Sequence, residues 1–152
     1  MKQDKANAHA QKWMKAGVVS GAAAYALVGV VGTTVPALLY QGLTLVQVLV
    51  WTLFSLPSGM LYAAVQGLFV SMIVLFFGAR IPGSTVFRKA LVASAAFFII
   101  SGVAAIISIV GMAYAQSAGM GLAEYVYNYL FSLTLNGVWC VVYSLLLARL
   151  LR

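Results

Sequence analysis

Five polar residues recur at every fourth position in the last apolar stretch of the chain: Asn128, Ser132, Asn136, Cys140 and Ser144. On a helix that spacing drifts slowly around one side. Amides are costly in hydrocarbon unless they find partners, so this side must face protein or a wet cavity. The chemistry it could perform is hydrogen bonding. One reading is an interhelical network with Gln66 and Gln116 as partners. The other is a polar path for a neutral or weakly polar solute.

Other chemistry is excluded by what is missing. No Asp, Glu, Lys, Arg or His falls within the apolar stretches, where proton relays, voltage sensors and ion-coupled transporters place ionisable groups. His9 is the only histidine and Cys140 the only cysteine, too few for a metal site of ordinary ligand count. No serine has a histidine base within the apolar stretches to activate it. The Gly29-Val30-Val31-Gly32 segment lies inside an apolar stretch, which excludes a phosphate loop. The expectation is a non-enzyme without cofactor, metal or catalytic residues.

The elements that must carry these residues follow from composition. The chain is 64% hydrophobic and 7% charged, whereas a soluble domain carries about a quarter charged residues. It is therefore read as an integral membrane protein. Uncharged runs extend from Ala16 to Ala79, from Ala90 to Ala123 and from Tyr125 to Ala148, and each exceeds the about 20 residues that a spanning helix needs. A basic arm, residues 1–15, precedes the first run. The apolar stretch after it continues to Tyr40, longer than the core of a cleavable secretory signal, so a retained helix is expected.

From Gln41 to Ala79 no charge interrupts the chain, yet one straight helix of that length would far exceed the hydrocarbon thickness. Leu56-Pro57-Ser58-Gly59 is the expected break, because Pro removes a donor and disfavours helix in the residue before it. The expected architecture is all-α: four transmembrane helices at about 16–40, 58–79, 90–115 and 125–148, plus a short interfacial or re-entrant helix at about 44–55. Thr44, Gln47, Trp51 and Ser55 give that short piece a polar stripe suited to an interface. Five spans with opposite termini form the alternative. Four are favoured because they place all nine Lys and Arg on the cytoplasmic side. Both termini are then cytoplasmic, and the expected location is the bacterial inner (plasma) membrane. No second domain or repeat is visible.

Two kinds of contact follow. Small residues let helices approach closely in lipid, which marks Ser101, Ala105, Ser108, Gly111 and Ala115 on the third span, and the Gly17/Gly21 pair on the first, as packing or interface positions. Lys12, Lys15, Arg80, Arg88, Lys89, Arg149 and Arg152 are the expected contacts to anionic lipid headgroups, by about 1 kcal/mol per residue near the surface. Expected partners are the bilayer and other membrane subunits or further copies of the chain. Nucleic acid is excluded, since the chain lacks a soluble fold to bind it.

From Gly67 onward the order of features resembles the YIP1 family of small polytopic membrane proteins. The resemblance rests on Gly67-Leu68-Phe69-Val70-Ser71-Met72-Ile73-Val74-Leu75-Phe76-Phe77-Gly78, on Phe87-Arg88-Lys89-Ala90-Leu91-Val92-Ala93-Ser94-Ala95-Ala96, and on Leu133 to Leu151 with Gly137-Val138-Trp139. It implies a membrane scaffold or trafficking-type protein, in eukaryotes linked to small GTPases and vesicles. That family has five spans, where charge placement here favours four.

Overall fold

The computed structural model describes residues 2–40, 44–114 and 122–152, which form four helices: α1 Lys2–Tyr40, α2 Leu45–Phe77, α3 Val86–Tyr114 and α4 Leu122–Leu151. Three contain stretches long and apolar enough to cross a membrane, at Ala6–Gly32, Leu45–Phe77 and Leu130–Leu151. The fold is all-helical among the described residues.

The basic arm continues directly into the first apolar stretch, so α1 is a single helix of 39 residues. The expected break in α2 does not occur. Pro57 sits inside a continuous helix of 33 residues, and residues 44–55 are its cap and opening turns rather than a separate interfacial element. The physical reason lies in the surroundings: a break in hydrocarbon would strand several backbone groups, whereas a proline within a helix strands about one. Nearby hydroxyls bond carbonyls in the turn before Pro57, Ser55 Oγ donating to Thr52 O at 3.2 Å and Ser58 Oγ to Ser55 O at 2.8 Å. At about 1.5 Å per residue α2 is roughly 50 Å long, well beyond the hydrocarbon thickness, so it must tilt or protrude.

The start of α2 has a capping box. Gln47 N donates to Thr44 Oγ1 at 3.4 Å, and Thr44 N to Gln47 Oε1 at 2.9 Å. Thr-Leu-Val-Gln has the sequence form of that motif, and it marks a helix start more specifically than the polar stripe does. At the other end, Gly83 adopts φ +130° in the turn between α2 and α3, a conformation that favours glycine.

Neighbouring helices run antiparallel. Lys12 Nζ donates to Leu151 O at 3.3 Å, which brings the beginning of α1 to the end of α4. Gly78 lies near Lys89, and Ile81 and Leu151 both pack on the buried core. The start of α1, the α2–α3 turn and the end of α4 therefore share one end of the bundle. Toward the other end, Thr34 and Thr52 share a hydrogen bond between α1 and α2 at 3.4 Å.

α1 packs most extensively on α2, while α3 is attached mainly to α4. The core joins Ala24, Ala63, Val70, Ala90 and Ala93 to Trp139, Cys140, Tyr143 and Leu147. Small residues dominate on the first three helices and large ones on α4, the division of volume that close-packed helices in lipid require.

Candidate functional site

Backbones of the described residues approach closely where α1 crosses α2. Gly17 and Gly21 face Ala63, Gly67 and Ser71, a second row of small residues at intervals of four. A Cβ at Gly21 would overlap the carbonyl oxygen of Ala63, one at Gly67 would overlap that of Gly17, and one at Gly17 would overlap the Ser71 side chain. The expected Gly17/Gly21 packing pair is thus used within the chain. In the sequence nothing sets the matching row on α2 apart from the many other small residues.

Tyr143 of α4 locks onto this crossing. Its hydroxyl donates to Gly67 O at 2.7 Å, fully buried, and its ring stacks on Trp139 at 4.8 Å and 4°. Trp139 in turn meets Phe98 of α3 edge-on at 5.2 Å. All four helices are held around this aromatic column. Sequence reasoning missed Tyr143, because an apolar run with a late tyrosine gives no sign of where its hydroxyl ends.

Above the column, α1 and α4 part to leave a cavity of about 200 Å³ lined by Tyr25, Gly29, Gly32, Ser132, Asn136 and Trp139, among others. Its lining residues recur at three- and four-residue steps on both helices, so each helix presents one face to it. Gly29 and Gly32 keep the α1 wall low: a Cβ at Gly32 would come within 2.8 Å of Leu135 Cδ1, and one at Gly29 within 2.6 Å of the Tyr25 ring. The Tyr25 ring also lies against Gly59 of α2. Polar groups on the lining are the Tyr25 and Ser132 hydroxyls, the Asn136 amide and the Trp139 indole. Trp139 Nε1 is buried without a hydrogen-bond acceptor, as is Ser20 Oγ on α1. Among the described residues no charged side chain lines the cavity, so its chemistry is that of a neutral hydrogen-bonding site.

The polar series on α4 therefore divides. Ser132 is exposed and Asn136 half-buried at the cavity, whereas Cys140 and Ser144 have turned into the core. Four-residue steps advance about 40° per step relative to the helix, which carries the series from one face to the next. Along it Cys140 meets Ser94 of α3 in a side-chain hydrogen bond, and the serines also bond within their own helices. Ser144 Oγ donates to Cys140 O at 2.7 Å, Ser71 Oγ to Leu68 O at 2.8 Å and Ser94 Oγ to Leu91 O at 3.1 Å. Gln66 is buried on α2 and is not on the cavity lining.

The Asn128 side chain and Gln116 lie outside the described residues. So do the side chains of Ser101, Ala105, Ser108 and Gly111, and residue Ala115. Among the basic positions, Lys12, Lys15, Arg80, Arg88, Arg149 and Arg152 are exposed and Lys89 half-buried. Helix order and the contacts above gather them at one end of the bundle. Among the described residues no group of three His, Cys, Asp or Glu side chains could hold a metal ion. Comparison with protein-family models, curated proteins and solved structures returns no match.

Proposed function

We propose that this chain is a four-span integral membrane protein that acts through contacts rather than catalysis, as an accessory or scaffold subunit of a membrane complex and in the manner of YIP1-like proteins. α3, 29 residues long, supplies the fourth span. The basic end faces the cytoplasm with both termini, following the excess of positive charge on that side.

The observation that carries this reading is the outer face of α2. Leu61, Tyr62, Val65, Phe69, Ile73 and Phe76 are exposed along a ridge at three- and four-residue steps. A ridge of that period fits the groove of another helix. Aromatic side chains supply much of the energy at interfaces. Extraction into native-lipid nanodiscs is expected to yield a discrete complex of fixed stoichiometry, and the Tyr62→Ala/Phe69→Ala variant is expected to release the chain from it. A wild-type chain that is monomeric and alone in those discs overturns the reading.

A second reading is favoured by the cavity between α1 and α4: a small oligomeric channel or transporter for a neutral or weakly polar solute, with Ser132 and Asn136 on its path. Under it, liposomes containing the wild type should release a small neutral solute such as glycerol faster than empty ones. The Ser132→Leu/Asn136→Leu variant should lose most of that excess. Equal flux in variant and wild type removes the residue-level basis of this reading.

A further inference from the structure

At the basic end a second cavity, of about 600 Å³, lies between the first turn of α3 and the last turns of α4. That volume is typical of ligand pockets, which span about 300 to 1,000 Å³. Its α4 wall includes Leu145, Ala148, Arg149 and Arg152, one helical face, and its α3 wall includes Thr85 and Phe87. The α4 wall changes character along its length. Leu145 lies deeper in the bundle and the two arginines lie at the chain end, over a rise of about 10 Å.

Arg149 and Arg152 line the cavity and, among the described residues, no acidic side chain does, in a chain with nine Lys and Arg against two Asp and Glu. Guanidinium groups match phosphate oxygens in geometry as well as charge. Thr85 adds a hydroxyl at the cap of α3, accepting from Arg88 N at 3.3 Å. Lys12 binds the Leu151 carbonyl oxygen, so that acceptor does not confront an incoming anion unpaired. Two cations, apolar side chains farther along α4 and the position at one end of the bundle fit a molecule that is anionic at its head and apolar below.

We propose that this cavity is a binding site for one anionic phospholipid, its phosphate held by Arg149 and Arg152 and the upper part of an acyl chain lying along Leu145 and Phe87. The proposal rests on the reading that the basic end sits at headgroup level. It does not require a protein partner, so a chain that binds lipid and is otherwise alone fails only the subunit reading.

The test is native mass spectrometry of the full chain in neutral detergent, titrated with dioleoylphosphatidylglycerol, with dioleoylphosphatidylcholine and with inorganic phosphate. One phosphatidylglycerol per chain is expected to survive detergent removal in the spectrometer, and phosphatidylcholine to bind at least about tenfold more weakly. The Arg149→Gln/Arg152→Gln variant should weaken phosphatidylglycerol binding by about tenfold or more, following the loss of two charges near the surface. Lys2→Gln/Lys5→Gln removes equal charge from the N-terminal arm and should change it less than about twofold. Ala148→Trp, which fills the cavity, should abolish it. Arg149 and Arg152 are exposed, so their replacement leaves the core intact and keeps the test decisive even where Ala148→Trp fails to fold. Equal binding of phosphatidylcholine, displacement by millimolar phosphate, or equal loss in both charge variants overturns the proposal. These outcomes would point respectively to an apolar occupant, a free anion and diffuse surface charge.

Discussion

Gly67→Leu is expected to unseat α1 from α2 and to destabilise the chain by about 3 kcal/mol or more, at the upper end of overpacking costs. The reason is where Gly67 sits. A Cβ at this position meets the carbonyl oxygen of Gly17, approaches Gly21 Cα at 2.9 Å and comes within 3.0 Å of Tyr143 Cε2. The first two are backbone atoms, which cannot move aside by a change of rotamer. Relief requires the helices to separate, and in lipid no hydrophobic effect between them opposes that separation. The same displacement would also stretch the bond from the Tyr143 hydroxyl to Gly67 O.

The control is Gly137→Ala on α4. A Cβ there has nothing within 4 Å, so only helix propensity acts and the change should stay within about 1 kcal/mol, with alanine the more stable. Reversible unfolding in mixed micelles of neutral detergent and dodecyl sulfate measures both. Gly67→Leu within about 1 kcal/mol of wild type would mean that this crossing contributes little to the fold.

Much of the architecture is readable in the chain because lipid narrows the possibilities. Three uncharged runs mark the long helices, although the short helix expected at 44–55 is the start of α2, and the distribution of Lys and Arg groups the helix ends as the antiparallel bundle does. Pro57 is read wrongly for the same physical reason that makes the rest legible. Rules calibrated in water treat proline as a stop, while hydrocarbon penalises an open backbone more than it penalises a proline within a helix. The Gly17/Gly21 pair is visible as a motif, but whether it meets another segment or another chain depends on α2. Its mate, Ala63-Gly67-Ser71, is hidden among many small residues. Ser132 and Asn136 are legible as candidates, and their cavity is not, since it is created by the missing side chains of Gly29 and Gly32 on another helix.

Least legible is the aromatic column, and it gives the other large expected effect. Tyr143 is among the largest fully buried side chains and the only described residue whose side chain joins the α1–α2 crossing to α4 by a buried hydrogen bond. Tyr143→Ala removes the ring stacked on Trp139, the hydrogen bond to Gly67 O and the volume that fills the centre of the bundle. A loss of about 3 to 5 kcal/mol is expected, the range for deleting a large aromatic from a packed core. Tyr143→Phe separates the contributions, because it keeps ring and volume and gives up only the hydroxyl. Its cost should be about 1 kcal/mol, typical of one interhelical bond in a membrane. Trp139 fluorescence offers an independent reading: with its stacking partner gone in Tyr143→Ala, the indole enters a cavity and its emission should shift, whereas Tyr143→Phe should leave it unchanged. Should Tyr143→Phe cost as much as Tyr143→Ala, the hydrogen bond rather than the packed ring holds α4 in place. In that case the column is organised from Gly67 outward, and loss of the edge-on contact between Phe98 and Trp139 should matter little beside it.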